Sequence, residues 1–398
     1  MDTLFPFRVW RVSNVRPEPR RLALYYAAVF AGPGVALPFL PAFLALNALT
    51  PGEVAVALAA QQVARLASGP LIGRVADGTG QRARVAALWA IAAAAASLLL
   101  LAAPGPFTLA MACALTGAVA APLVPLGDAL ALRAASLGLC DFGRVRSVGS
   151  VSFVAGTLAG GVAVRHLGAG IVPWAMAMGY AATAAAALAL PDLGTARAKG
   201  RGLGFGLLRN RGFLLLLLAS GLTQGSHAMH YGFSVLWWQR AGIGPDVSGV
   251  LWTIGVVAEI ALLMGARDVA GRAGPAGLLA IGAVAGILRW GATAATVDPW
   301  LLGPLQVLHA LTFGATMLGA AGMIARLVPP ELGATAQTLH AALGPGLATM
   351  LLTAASGPLY ARFGGLAFLA MAAACAAALI PAALLARRGE GRRSSGSA

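Results

Sequence analysis

Two charged residues stand alone inside long apolar stretches of this 398-residue chain, Arg65 and Glu259, and they share a spacing with the prolines that open those stretches. Pro51 and Pro245 are 194 residues apart, and so are Arg65 and Glu259. A charge near the middle of a membrane-length apolar segment costs roughly 2.5–3.5 kcal/mol even on lenient insertion scales, so it needs a partner or a task. An arginine there can hold a carboxylate in its planar fork, or pair across a helix contact, with Gln337 and His340 as candidate neighbours. A carboxylate such as Glu259 suits proton carriage, and Arg289 in the next apolar stretch is its candidate ion-pair partner. Asp128 is a further such charge. It lies in a stretch opened by Pro122 and Pro125, whose missing N–H groups leave backbone acceptors free, and it suits either a proton or substrate role or a hydrogen bond to the Asp141–Arg146 segment.

Two polar and aromatic stripes accompany these charges. Gln224, His227, Tyr231, Ser234 and Trp238 recur every three or four residues and share one helix face; Gln306, His309 and Phe313 repeat the arrangement further along. Such a face is poorly suited to lipid. It fits either helix–helix hydrogen bonding or the wall of a ligand cavity, where rings surround a few placed polar groups. Tyr26 is the residue of the first apolar stretch expected to point inward, and His309 reads either as a packed core histidine or as a proton relay.

The elements that must position these residues follow from composition. Apolar residues make up 59% of the chain and charged ones 10%, with a mean hydropathy of +0.81, which excludes an ordinary soluble domain. Segments of about twenty residues give twelve membrane helices, over residues 22–46, 51–72, 84–103, 106–133, 145–166, 169–190, 212–239, 246–266, 275–296, 299–323, 333–359 and 364–386. Residues 191–211 hold Pro191, several glycines and five basic residues, a linker between two six-helix halves. The expected organisation is a cytoplasmic tail over 1–21, a bundle over 22–190, the linker over 191–211, a second bundle over 212–386 and a cytoplasmic tail over 387–398, polar from Gly389 and read as disordered. The shared offset of 194 makes the bundles pseudo-symmetric, an all-α plan common among transporters.

The formal net charge is +15, and its placement decides what it means. Of 28 Lys and Arg residues, 23 fall in segments on the side of the N terminus and only Arg165, Arg240 and Arg362 on the other, which predicts a multi-pass protein with both termini in the cytoplasm; the expected location is a bacterial inner membrane. Dispersed over short loops without interleaved aromatics, these arginines do not suit nucleic acid. Cys113, Cys140 and Cys375 have no metal-ligand spacing, and neither a phosphate-binding loop nor a nucleophile constellation occurs, so no enzyme, metal site or cofactor is expected. A transporter of this composition draws on an ion gradient.

After the second segment comes GRVADGTGQR, Gly73 to Arg82, which resembles the signature loop of the major facilitator superfamily, departing from it at Gly78 and Gln81. The resemblance implies a cytoplasmic gate in which Gly73 allows close helix approach and Asp77 and Arg82 engage the facing helix ends, with Asp141, Arg144 and Arg146 in the matching loop. PLVPLGDALAL (122–132), DFGRVRSVGSVSFVAGTLAGG (141–161), QGSHAMHYGFSVLWWQRAG (224–242), SGVLWTIGVVAEI (248–260), LRWG (288–291) and LQVLHALTFGA (305–315) are similar to the phenylpropionate permease family of that superfamily. Ser147-Val148 and His230 depart from its pattern. The resemblance implies the major facilitator fold, alternating access around a midplane cavity between helices 1, 4, 7 and 10, and a functional monomer that imports a small aromatic carboxylate with protons. A sugar or nucleoside permease and a receptor that binds without cycling are the alternatives.

Overall fold

The computed structural model describes residues 19–191 and 205–394. Its helices are α1 (Pro19–Leu46), α2 (Pro51–Thr79), α3 (Arg82–Ala102), α4 (Pro106–Ala120), α5 (Leu123–Ser136), α6 (Phe142–Leu167), α7 (Ile171–Leu188), α8 (Arg211–Gly225), α9 (Ala228–Arg240), α10 (Pro245–Met264), α11 (Ala266–Ala295), α12 (Pro299–Val307), α13 (Thr316–Leu327), α14 (Gly333–Ala341), α15 (Leu347–Phe363) and α16 (Phe368–Ser394), with no strand among the described residues. Four consecutive pairs, α4 with α5, α8 with α9, α12 with α13 and α14 with α15, continue one another as broken rods, so the helices form twelve crossings. This is the expected all-α plan of two six-helix halves. The breaks sit at Ala121-Pro122, at Ser226-His227, and at wide π-helical turns over Ala310–Ala315 and Ala342–Gly346. Such turns free backbone groups and re-aim side chains.

Nine stretches among the described residues are long and apolar enough to cross a membrane, one of them running through both of the last two crossings. The crossings that fall short are α2 and α8–α9. They carry Gln61, Gln62 and Arg65 in one case and Gln224, His227 and His230 in the other. Polar residues at that depth must face protein or water rather than lipid, so the faces that carry them turn away from lipid, while Val56, Val63 and Leu71 of α2 and Leu214 and Leu218 of α8 stay exposed. Large apolar side chains such as Leu24, Leu88, Ile91, Phe107, Met178 and Met264 cover the outer faces.

Local signals fix the helix ends. Thr50 and Glu53 close a capping box on α2, with Thr50 N–H donating to Glu53 Oε2 at 2.8 Å, while Asp141 accepts from Arg144 N–H at 2.8 Å to start α6. The segment from Gly73 to Thr79, expected as a loop, is the end of α2, which stops at Gly80 with φ +68°. At the other end of the chain α16 runs on to Ser394, through much of the segment read as a disordered tail. Most of the interbundle linker, and residues 1–18, lie outside the described residues.

Within the first half α1 packs on α6 and α7, α2 on α4, and α3 on α7; in the second, α16 packs on α11 and α8, and α10 on the turn over Ala310–Ala315. The halves meet through α6 with α10, α2 with α15, and α1 with α9. These contacts are tight at the end away from the termini. A Cβ on Gly161 would lie 2.7 Å from the Pro245 carbonyl oxygen, and one on Gly249 would lie 2.9 Å from that of Thr157, so backbones touch there. Arg165 and Asp246 pair across the same seam. α5 and α14, which reach the opposite end, pack within their own halves.

This geometry predicts the effect of a wedge at the sealed end. In Gly161→Val the valine side chain has no room, so the seam opens and a cysteine placed at Leu37, in the interior, reacts about tenfold faster with an impermeant thiol reagent from the loop end away from the termini, a shift of about 1.4 kcal/mol in the open population. Unchanged labelling would mean that the seam is not what closes that end.

Candidate functional site

A cavity of about 250 Å³ lies between the halves, walled by Phe30 and Leu37 of α1, Arg146, Ser150 and Phe153 of α6, His230 and Tyr231 of α9, Trp252 and Glu259 of α10, Arg289 of α11, and Gln306, His309 and Phe313 of the α12 crossing. The crossing made by α4 and α5, expected as a wall, contributes no lining residue. Its place is taken by α6, α10 and α11, because Asp128 of α5 is held behind Arg146.

Arg289 organises the second half of the wall. It is 1% exposed, and two of its three nitrogens are occupied: NH2 donates to Gln306 Oε1 at 2.8 Å, NH1 donates to His309 Nδ1 at 3.1 Å and to Thr312 Oγ1 at 3.2 Å, Nε has no partner among the described residues, and Cζ lies 4.3 Å from the Trp290 ring centre. A guanidinium can only donate, so it fixes His309 Nδ1 as an acceptor. The neutral ring then carries its hydrogen on Nε2, which faces Glu259 Oε2 at 3.3 Å. Glu259 therefore does not pair directly with Arg289; His309 stands between them.

Behind this triad is a second layer. His227 donates from Nδ1 to the Gln224 carbonyl and accepts the Thr312 hydroxyl at Nε2, both at 3.0 Å, while Gln224 Nε2 donates to the Phe313 carbonyl at 3.1 Å. That last bond uses a backbone acceptor in the π-helical turn. Trp290 Nε1 donates to Ser226 Oγ at 2.8 Å, which pins the break between α8 and α9. The rings of His309 and Phe313 stack with centres 5.3 Å apart, and His230 stacks on Trp252 at 4.5 Å.

In the first half, Asp128 Oδ1 accepts the Tyr26 hydroxyl at 2.6 Å and lies 3.4 Å from Arg146 Nε, and the Arg146 guanidinium sits 4.4 Å from the Phe30 ring centre. Tyr26 and Trp238 are fully buried outside the cavity lining, Tyr26 on Asp128 and Trp238 against His230. Gln224 and His227 form the second layer, whereas Tyr231, Gln306, His309, Phe313, Glu259 and Arg289 reach the cavity. Arg146, expected at a gate, is a cavity residue. Asp141 is spent on its helix cap, and Arg144 is exposed. Gly73 and Asp77 lie in the last turns of α2 and Arg82 opens α3. Arg65 does not meet His340, whose Nε2 lies 2.8 Å from Ser220 Oγ; Arg65 faces a second cavity instead. Phe30, Phe153, His230 and Trp252 are cavity residues that the stripe spacing does not single out.

Residues 20–370 match the profile of the MFS_1 like family. The chain belongs to that family. It is 31% identical over 377 residues, 90% of this chain and 95% of the relative, to the probable 3-phenylpropionic acid transporter of Escherichia coli (strain K12). Identity to the maltose permease of Geobacillus stearothermophilus is 28%, covering 85% of this chain and 87% of that protein. Among solved structures it is similar to the nucleoside transporter NupG, with a TM-score of 0.82 at 16% identity over 92% of this chain and 98% of that one, and to a bacterial homolog of the human lysosomal transporter Spinster, with a TM-score of 0.70 at 15% identity over 93% and 96%. These confirm the fold. The MFS_1 like chain is a multi-pass membrane transporter and not an enzyme.

The network makes a stability prediction. Arg289→Met strands Gln306, His309 and Thr312 and removes the donor that fixes the His309 ring against Glu259, so unfolding in detergent becomes easier by about 3 kcal/mol. Arg289→Lys restores less than half of the loss, because an ammonium cannot span the three acceptors. Chemical-denaturant melts of the three proteins check both statements.

Proposed function

We propose that this transporter imports a small aromatic carboxylate together with a proton, cycling as a monomer in the inner membrane. The observation that carries the reading is the cavity wall itself: a buried guanidinium linked through His309 to a carboxylate, facing the rings of Tyr231, Trp252 and Phe313. The relative named as a 3-phenylpropionic acid transporter supports the substrate class.

Charge counting supplies the coupling. With Glu259 ionised, the charge of Arg289 is balanced within the second half. Protonation of Glu259 leaves the guanidinium unbalanced in a poorly solvated wall, and a substrate carboxylate restores the balance. Proton and anion therefore favour each other's binding. This coupling is reciprocal by linkage, so departure of one weakens the hold on the other. Arg146 offers a second cation across the cavity, already shared with Asp128, while the rings take up the aromatic body. The placement of 23 basic residues on the side of the termini supports a cytoplasmic orientation for that end. In that orientation the sealed seam faces outward.

The maltose permease relative favours a second reading, an uncharged sugar as substrate. It separates cleanly in binding. Under the carboxylate reading, 3-phenylpropionate binds purified protein at least about tenfold more tightly than its amide, about 1.4 kcal/mol, and exchanges in proteoliposome counterflow. Equal affinity for acid and amide refutes carboxylate recognition, and binding without exchange refutes transport.

Coupling has its own test. Calorimetry in buffers of different ionisation enthalpy should show net proton uptake when 3-phenylpropionate binds to the unmodified protein. In Glu259→Gln the uptake disappears, affinity becomes insensitive to pH around neutrality, and exchange survives without uphill accumulation. Accumulation of substrate by Glu259→Gln under a proton gradient would remove Glu259 as the coupling carboxylate.

A further inference from the structure

A second cavity, of about 90 Å³, lies beside the first between α1, α2, α7, α9 and α15. Leu37 and Tyr231 line both, so one layer of side chains separates the two. Its polar groups are Gln61, Gln62 and Arg65, one turn of α2, with Tyr180 of α7 and Thr353 of α15. Among the described residues none of these five side chains has a hydrogen-bond or ion-pair partner, and no carboxylate lines the cavity.

Tyr180 and Thr353 are buried and Gln61 and Gln62 half-buried, while Arg65 is exposed, so its guanidinium is open to an ion that enters the space. At this depth an arginine normally meets a carboxylate or backbone carbonyls, and buried or half-buried amides and hydroxyls normally find partners. Here five guanidinium N–H groups, two amide NH2 groups and two hydroxyls converge without an acceptor of negative charge. A donor-rich, acid-free, positively charged pocket recognises an anion. Its volume is about a third of that of the neighbouring cavity, enough for a halide or a carboxylate group but not for an aromatic acid of the size the larger cavity holds.

We propose that this cavity is a second anion site, taking a halide or a carboxylate group against Arg65, Gln61, Gln62 and Tyr180. The inference does not rest on the identity of the solute in the larger cavity, and it stands if that solute is a neutral sugar. The anion is either a free ion or a distal carboxylate on a solute that reaches past Tyr231 from the larger cavity, and two arms separate these sources.

In the first arm, full-length protein in detergent is melted in sodium chloride and in sodium gluconate at equal ionic strength. A free-anion site raises the melting temperature in chloride, saturably, and Arg65→Gln removes the rise. In the second, 3-phenylpropionate is compared with its para-carboxylated analogue. A distal-carboxylate site makes the diacid bind about tenfold more tightly, and Arg65→Gln levels the two affinities. Arg65→Lys keeps part of either effect, and Tyr180→Phe weakens it without altering charge, which guards against a fold defect in the glutamine variant. The proposal fails if neither chloride nor the second carboxylate has an effect, or if an effect persists unchanged in both Arg65→Gln and Tyr180→Phe. Failure of amide discrimination with either effect intact would overturn the substrate reading and leave this site standing.

Discussion

One buried guanidinium sets the form of the second half. Removing Arg289 from water costs several kcal/mol, and the protein offsets this with Gln306, Thr312, His309 and the Trp290 ring, all supplied by α11 and the crossing that contains α12. The requirement propagates. Thr312 must sit in the π-helical turn to reach both Arg289 and His227, the turn exposes the Phe313 carbonyl, and Gln224 takes that carbonyl from α8. Trp290, anchored on Ser226, then holds the break between α8 and α9. Lipid supplies no hydrophobic drive for helices to associate, so satisfied polar contacts of this kind carry much of the specificity that an oily core gives a soluble domain.

The two halves hold their charges differently, and that difference suits a machine that moves. Arg146 and Asp128 have side chains 30% and 33% exposed, so their pair is within reach of water and can be remade at small cost. The Arg289, His309 and Glu259 chain is far more enclosed. A proton or a solute carboxylate arriving there changes the balance in a medium where charge matters most. The first half therefore offers an adjustable cation and the second a fixed one. Binding energy can be differential between two states only if at least one contact set changes between them.

Sequence carried the twelve crossings, the pairing of the halves by a constant offset, and the charges of the site, because a lone charge in an apolar run is conspicuous against a background of 59% apolar residues. It did not carry which charges meet. Glu259 and Arg289 sit on adjacent crossings, and only the third crossing reveals that His309 lies between them. Arg146 follows a loop in sequence and reads as a gate residue, whereas α6 starts at Phe142 and already delivers residue 146 to the cavity. Trp252 and His230 were missed for other reasons: Trp252 is an isolated ring on α10 with no polar stripe around it, and His230 follows the break at Ser226-His227, off the stripe of Gln224, His227 and Tyr231. A break of that kind leaves no proline or regular spacing to announce it.

The constant offset has a spatial meaning as well. α2 and α10 are equivalent under the pseudo-symmetry that Pro51 and Pro245 mark, and they make the two principal seams, α2 with α15 and α10 with α6. Each seam borders one lobe of the interior, with Tyr231 and Leu37 between the lobes. Equivalent positions then hold Arg65 in one lobe and Glu259 in the other. A symmetric scaffold thus carries opposite charges at matched depth, a donor-rich lobe without acids beside a lobe that contains the carboxylate. Because both cavities share the Tyr231 side chain, a shift of that ring in one lobe alters the wall of the other.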